Sequence, residues 1–129
     1  MWVKIDDQMP NDPEIDTLTD GAFRLYVSAL CYCQAEQTDG YVTASKLRRL
    51  VPNYKPSQLR ELTGPTLHPE GPIFAPIDDG YIIRNFTKYN KTRAHWEKRR
   101  ADDAKRMADW RAARDAEIEA AREAMERHA

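Results

Sequence analysis

A mostly α fold with a small β-hairpin and a long C-terminal α-helix is predicted by three features of the 129-residue sequence. Residues 22–35 are apolar around most of a helical circumference, as a central core helix is. Two short amphipathic segments follow, joined by Pro52-Asn53-Tyr54-Lys55. From Lys91 to Arg127 the chain has neither glycine nor proline and is rich in alanine and charge, so helix propensity alone favours a helix there.

At the N-terminus, Trp2-Val3-Lys4-Ile5 alternates well enough for a short strand or an extended arm. Pro10, Pro13 and the acids Asp12, Glu14 and Asp16 mark a loop. Thr19 is placed to cap the core helix, with Asp20 favourable in its first turn, and Thr38-Asp39-Gly40 stops it. Tyr41-Val42 leaves room for a very short strand. Thr43 then caps a second helix, to Val51, which turns Ala44, Leu47, Leu50 and Val51 inward and Lys46, Arg48 and Arg49 outward. Pro56 suits the first turn of a third helix, Pro56 to Thr63, stopped by Gly64-Pro65. Leu59 and Leu62 form its buried edge, and Ser57, Gln58, Arg60 and Glu61 its outer side.

Thr66 to Pro72 is a loop. Ile73 to Ile77, the turn Asp78-Asp79-Gly80, and Tyr81 to Phe86 read as strand, turn and strand, with Pro76 requiring an edge position. This order of elements is the plan of a winged helix-turn-helix over residues 1–90, the hairpin being the wing. Residues 91–129 form a charged, alanine-rich helical appendage. Ion pairs at i, i+4 support it, among them Lys98 with Asp102, Asp102 with Arg106 and Arg122 with Glu126, each contributing a few tenths of a kcal/mol. Met107, Ile118, Ala121 and Met125 approximate a 3.5-residue seam that Arg111 and Arg114 interrupt.

Charge is segregated although the net charge is only −1. Residues 1–45 carry net −6, residues 46–93 net +5, residues 94–114 net +3 and residues 115–129 net −3. Between Lys46 and Arg60 five cations occur and no acid. A small domain that concentrates cations on a helix-turn-helix is suited to double-stranded DNA, whose phosphates dominate affinity. On this reading Lys46, Arg48, Arg49 and Lys55 face backbone phosphate. Ser57, Gln58 and Arg60 lie at the groove, Gln matching adenine and Arg matching guanine. Arg84, Lys88, Lys91 and Arg93, beside or after the wing, extend the contact.

Other functions find less support. His68, His95 and His128 lack partners at metal spacing, and none of the five glycines builds a phosphate-cradling loop. Asp78-Asp79-Gly80 is turn chemistry. The expectation is therefore a non-catalytic protein without metal or cofactor. No apolar run approaches the roughly 20 residues needed to cross a bilayer, and the first residues turn acidic at once, so a cytoplasmic location is expected. Cys31 and Cys33, at i, i+2 on a helix, suit neither a disulfide nor a shared metal, and are expected as small reduced core residues.

Two stretches carry a family resemblance. Leu18-Thr19-Asp20-Gly21-Ala22-Phe23-Arg24-Leu25-Tyr26, with Cys31-Tyr32-Cys33 and Thr38-Asp39-Gly40-Tyr41-Val42, resembles the winged-helix domain that opens actinobacteriophage replication-initiation proteins. So does Asp79-Gly80-Tyr81-Ile82-Ile83-Arg84-Asn85-Phe86, followed by Tyr89-Asn90 and an arginine-rich helix. The resemblance covers roughly residues 1–110. It implies a phage DNA-binding protein in a bacterial host cell, working in replication initiation or transcriptional regulation, with a replisome component among its partners. The competing expectation is a protein-interaction module that inhibits or recruits a host factor through its acidic face or its long helix. The charge order of the tail further suggests a homodimer through that helix.

Overall fold

In the computed structural model, which describes residues 1–128, the chain opens as an extended arm rather than a strand. The Lys4 amide donates to Asn90 Oδ1 at 2.8 Å, and the Gln34 side-chain amide donates to the Trp2 carbonyl at 3.2 Å. Gln34 and Asn90 are buried polar residues, so the arm supplies partners that their burial requires. The predicted loop that follows is partly helical. A 3-10 turn (Met9–Asn11) leads into α1 (Pro13–Asp16), which Asp12 caps through the Glu14 amide at 2.9 Å.

Helix α2 (Asp20–Ala35) is capped by Thr19, whose hydroxyl accepts from the Ala22 amide. Leu25, Ala29 and Cys33 are fully buried along it, and Leu30 nearly so. After it come β1 (Tyr41–Thr43), α3 (Ala44–Leu50), α4 (Pro56–Thr63), β2 (Phe74–Ile77) and β3 (Gly80–Ile83). The strands form an antiparallel sheet in the order β1-β3-β2. Val42 lies opposite Tyr81, and Phe74 opposite Ile83, so these four side chains share the inner face. Phe74 bridges the layers, its ring 6.0 Å from Tyr81 and 6.4 Å from Tyr26 of α2. Leu47 of α3 and Leu62 of α4 complete the core from the other side. Pro76 falls on β2, an edge strand, where its missing N–H leaves no ladder bond unmade.

Two expectations need correction here. The second hairpin strand stops at Ile83, not Phe86. Asn85 takes the left-handed conformation (φ 61°, ψ 13°), which asparagine tolerates, and a short helix α5 (Phe86–Tyr89) follows instead. This bend drives Phe86 into the core against Gly40, where an added Cβ would lie 2.8 Å from Phe86 Cβ. Cys31 is exposed and only Cys33 is buried, its thiol pushed up to about 11 by desolvation. Two residues apart on a helix, they point to opposite sides, so only one reaches the core.

The first unit runs Met1–Arg93, and the Arg93 amide donates to the Asp39 carboxylate at 2.8 Å. Helix α6 (Arg93–Arg127) carries the second unit, which starts at Ala94. It has no buried residue. Two ion pairs along it have i, i+3 spacing: Arg106 pairs with Asp103, and Arg122 lies 3.9 Å from Glu119. The guanidinium groups of Arg99 and Arg114 sit over the rings of Trp96 and Trp110, at 5.8 and 5.4 Å.

Candidate nucleic-acid interface

The candidate interface is α3, the turn after it, and α4. Thr43 starts α3 by accepting from the Lys46 amide at 3.1 Å. Leu47 is fully buried and anchors the helix, which leaves Arg48 and Arg49 exposed in its last turn. The Val51 amide closes α3 on the Leu47 carbonyl, and the Tyr54 amide donates to the Val51 carbonyl at 3.2 Å, shaping a tight turn. Pro52 and Asn53 stand exposed at its tip, and Pro56 opens α4.

The structure brings Lys46, Arg48, Arg49, Lys55, Ser57 and Arg60 onto this one helix–turn–helix segment. Arg48, Arg49, Lys55 and Arg60 are exposed, and none forms an ion pair among the described residues. Ser57 is exposed beside them. Lys46 is held back, with its ammonium 5.2 Å from the centre of the Tyr32 ring. Four unpaired cations spanning a turn create a local positive field.

Two residues of α4 expected outside are turned toward α2 instead. Gln58 Oε1 accepts from the Lys55 amide at 2.8 Å, closing the first turn of α4. Its amide end lies over Gly21, where an added Cβ would stand 1.9 Å from Nε2. Glu61 accepts from the Thr19 amide at 2.9 Å and from the Thr19 hydroxyl at 2.6 Å. Gln58 therefore does not stand free on the outer side as expected: it holds α4 against α2. Of the three residues expected at a groove, Ser57 and Arg60 stay exposed.

Arg84 also moves to a structural role. Its side chain is 8% exposed and donates to Glu14 Oε2 at 3.0 Å and to the Gly71 carbonyl at 2.8 Å. The Thr66 hydroxyl donates to the other Glu14 oxygen at 2.6 Å. Thr66, with Arg84 behind it, holds the Glu14 carboxyl below its ordinary value despite partial desolvation. Lys88, Lys91 and Arg93 are exposed but stand on the separate segment after β3, Lys88 leaning over the Tyr89 ring at 5.6 Å.

Comparison with protein-family models, with curated proteins and with solved structures returned no match.

Sequence reasoning missed a half-open cleft of about 540 Å³, bordered by Tyr26, Leu30, Arg84, Phe86, Tyr89 and Asn90. The pairing of the arm with Asn90, which shapes it, has no local sequence signal. At the hairpin tip the Tyr41 hydroxyl bonds the Asp79 carboxylate, and this bond pushes the phenol up to about 12. Among the described residues no three His, Cys, Asp or Glu side chains converge as metal ligands, and no helix is long and apolar enough to cross a membrane.

Proposed function

We propose that residues 1–90 are a winged helix-turn-helix that binds double-stranded DNA without catalysis, with α4 as the reading helix and β2–β3 as the wing. The reading is supported by the element order, a core helix, a short strand, two helices across a turn and two strands, together with the strand order β1-β3-β2. The observation that carries it is the row of Arg48, Arg49, Lys55 and Arg60, exposed and unpaired across the turn, with no acidic residue between Lys46 and Arg60. Arg48, Arg49 and Lys55 hold phosphates. Arg60 and Ser57 read base edges in the major groove, while Gln58 sets the pose of the helix that presents them. The resemblance to phage initiators directs the role to replication initiation or transcriptional regulation in a bacterial cytoplasm.

Fluorescence anisotropy with labelled duplexes at several salt concentrations tests the reading. Three to four phosphate contacts should give a log–log salt slope of roughly −3 to −4. A chain that fails to bind duplexes at low salt, while an immobilised sample retains a host protein through its acidic N-terminal face, would move the function to the protein-interaction class.

A further inference from the structure

We infer that α6 pairs with α6 of a second copy of this chain, antiparallel, in the register that places Ala116 on the two-fold axis. This inference does not depend on the DNA reading. Its first ground is an apolar seam left in solvent. Met107, Ile118 and Met125 are 50%, 41% and 74% exposed, and with Ala121 they recur at the 3.5-residue spacing of a helix–helix seam. Trp110, at 55%, flanks the seam.

The second ground is charge complementarity. Residues 104–114 hold four cations and one anion, and residues 115–128 hold two cations and five anions. Antiparallel pairing about Ala116 lays each +3 stretch along the −3 stretch of the other copy. Parallel pairing would instead set Arg111 and Arg114 against their own equivalents. The charge order also opposes the helix dipole, basic side chains lying toward the positive end, and an antiparallel neighbour supplies the compensating charge.

The seam selects the register. With the axis at Ala116, Met107 meets Met125 of the second copy, Arg114 meets Ile118 and Arg111 meets Ala121. The arginine stems then lie on apolar surface, and their guanidinium groups, that of Arg114 turning away from the Trp110 ring, reach Asp115 and Glu117 beside the axis. The interruptions of the seam thus become its polar centre, from four arginines and four carboxylates. The overlap of about 25 residues runs for about 37 Å at the α-helical rise. The contact is isologous, so it closes at two copies and does not propagate.

The full chain should sediment at twice its monomer mass at tens of micromolar, and Arg111→Glu/Arg114→Glu should sediment as a monomer with unchanged far-UV circular dichroism. In a Cys31→Ser background, Met107→Cys mixed with Met125→Cys should oxidise to a covalent dimer, while neither variant alone should do so. A monomeric full chain at 100 μM overturns the inference, the helix then being bare or reserved for a different partner. Covalent dimers from either single variant alone overturn the antiparallel register.

Discussion

Arg84 illustrates how one side chain's position decides between two roles. Its charge and its place after the hairpin suit a phosphate contact, yet its guanidinium is buried between Glu14 and the Gly71 carbonyl. Arg84→Ala should therefore destabilise the first unit by about 1.5–3 kcal/mol in urea denaturation, because a charge-assisted pair and a carbonyl acceptor both lose their donor. It should leave the salt slope of DNA binding unchanged. Glu14 makes the same cluster sensitive to acid. Its carboxyl is lowered in the folded state from an ordinary 4.5, first by the Thr66 hydroxyl and then by Arg84. The stabilisation is therefore complete above the unfolded value and is lost as pH falls through the folded one. The stability difference between the native chain and Glu14→Gln should be constant from pH 7 to about pH 5 and should shrink at lower pH. Glu61 sits on α4 but serves α2, accepting twice from Thr19. Glu61→Ala should cost about 1 kcal/mol, as the loss of a cap does, with no gain or loss of sequence discrimination.

At the scale of elements, α3 and α4 divide the proposed labour, and their variants should separate accordingly. Arg48→Ala and Arg49→Ala should weaken all duplexes alike, each flattening the salt slope by about 0.9, while Arg60→Ala should cost roughly 1–3 kcal/mol of discrimination between specific and random sites. Equal losses on both kinds of duplex for Arg60→Ala would remove α4 from the role of reader. The boundaries of these helices were legible because their signals are local: Thr43 caps, Pro56 opens and Gly64-Pro65 stops. The hairpin turn was legible for the same reason, Asp78 taking a left-handed φ of 48° at a two-residue loop. What sequence could not give was the orientation of long polar side chains. Gln58 lies one helical turn before Leu62, on the same side of α4, and it is its polarity, not its spacing, that assigns it to solvent. Only the missing Cβ of Gly21, 37 residues earlier, makes the space it fills. Arg84 and Glu14 are 70 residues apart, and nothing in either segment announces the other. Helix α5 escaped because Asn85 reads as strand until its left-handed backbone is seen.

At the scale of the whole molecule, the chain joins a unit with a conventional core to a helix with no buried residue. The core residues, from Ile15 to Phe86, all lie before Asn90, and the last long-range tie of the first unit is the Arg93 amide on Asp39. Removal of the residues after Arg106 therefore takes away helix but no core. The truncated chain should unfold in urea with one cooperative transition and an unchanged midpoint, since the surface exposed on unfolding the first unit is unaltered. Its far-UV helical signal should fall in proportion to the 23 residues removed. The deletion also takes Met107, Ile118 and Met125, so sedimentation should report a monomer at any accessible concentration. DNA affinity should then drop more than the loss of any single cation explains, because two sites held in one particle bind with the effective concentration that a dimer provides. A truncation that keeps full affinity would place DNA binding in a single first unit and leave α6 to pairing alone.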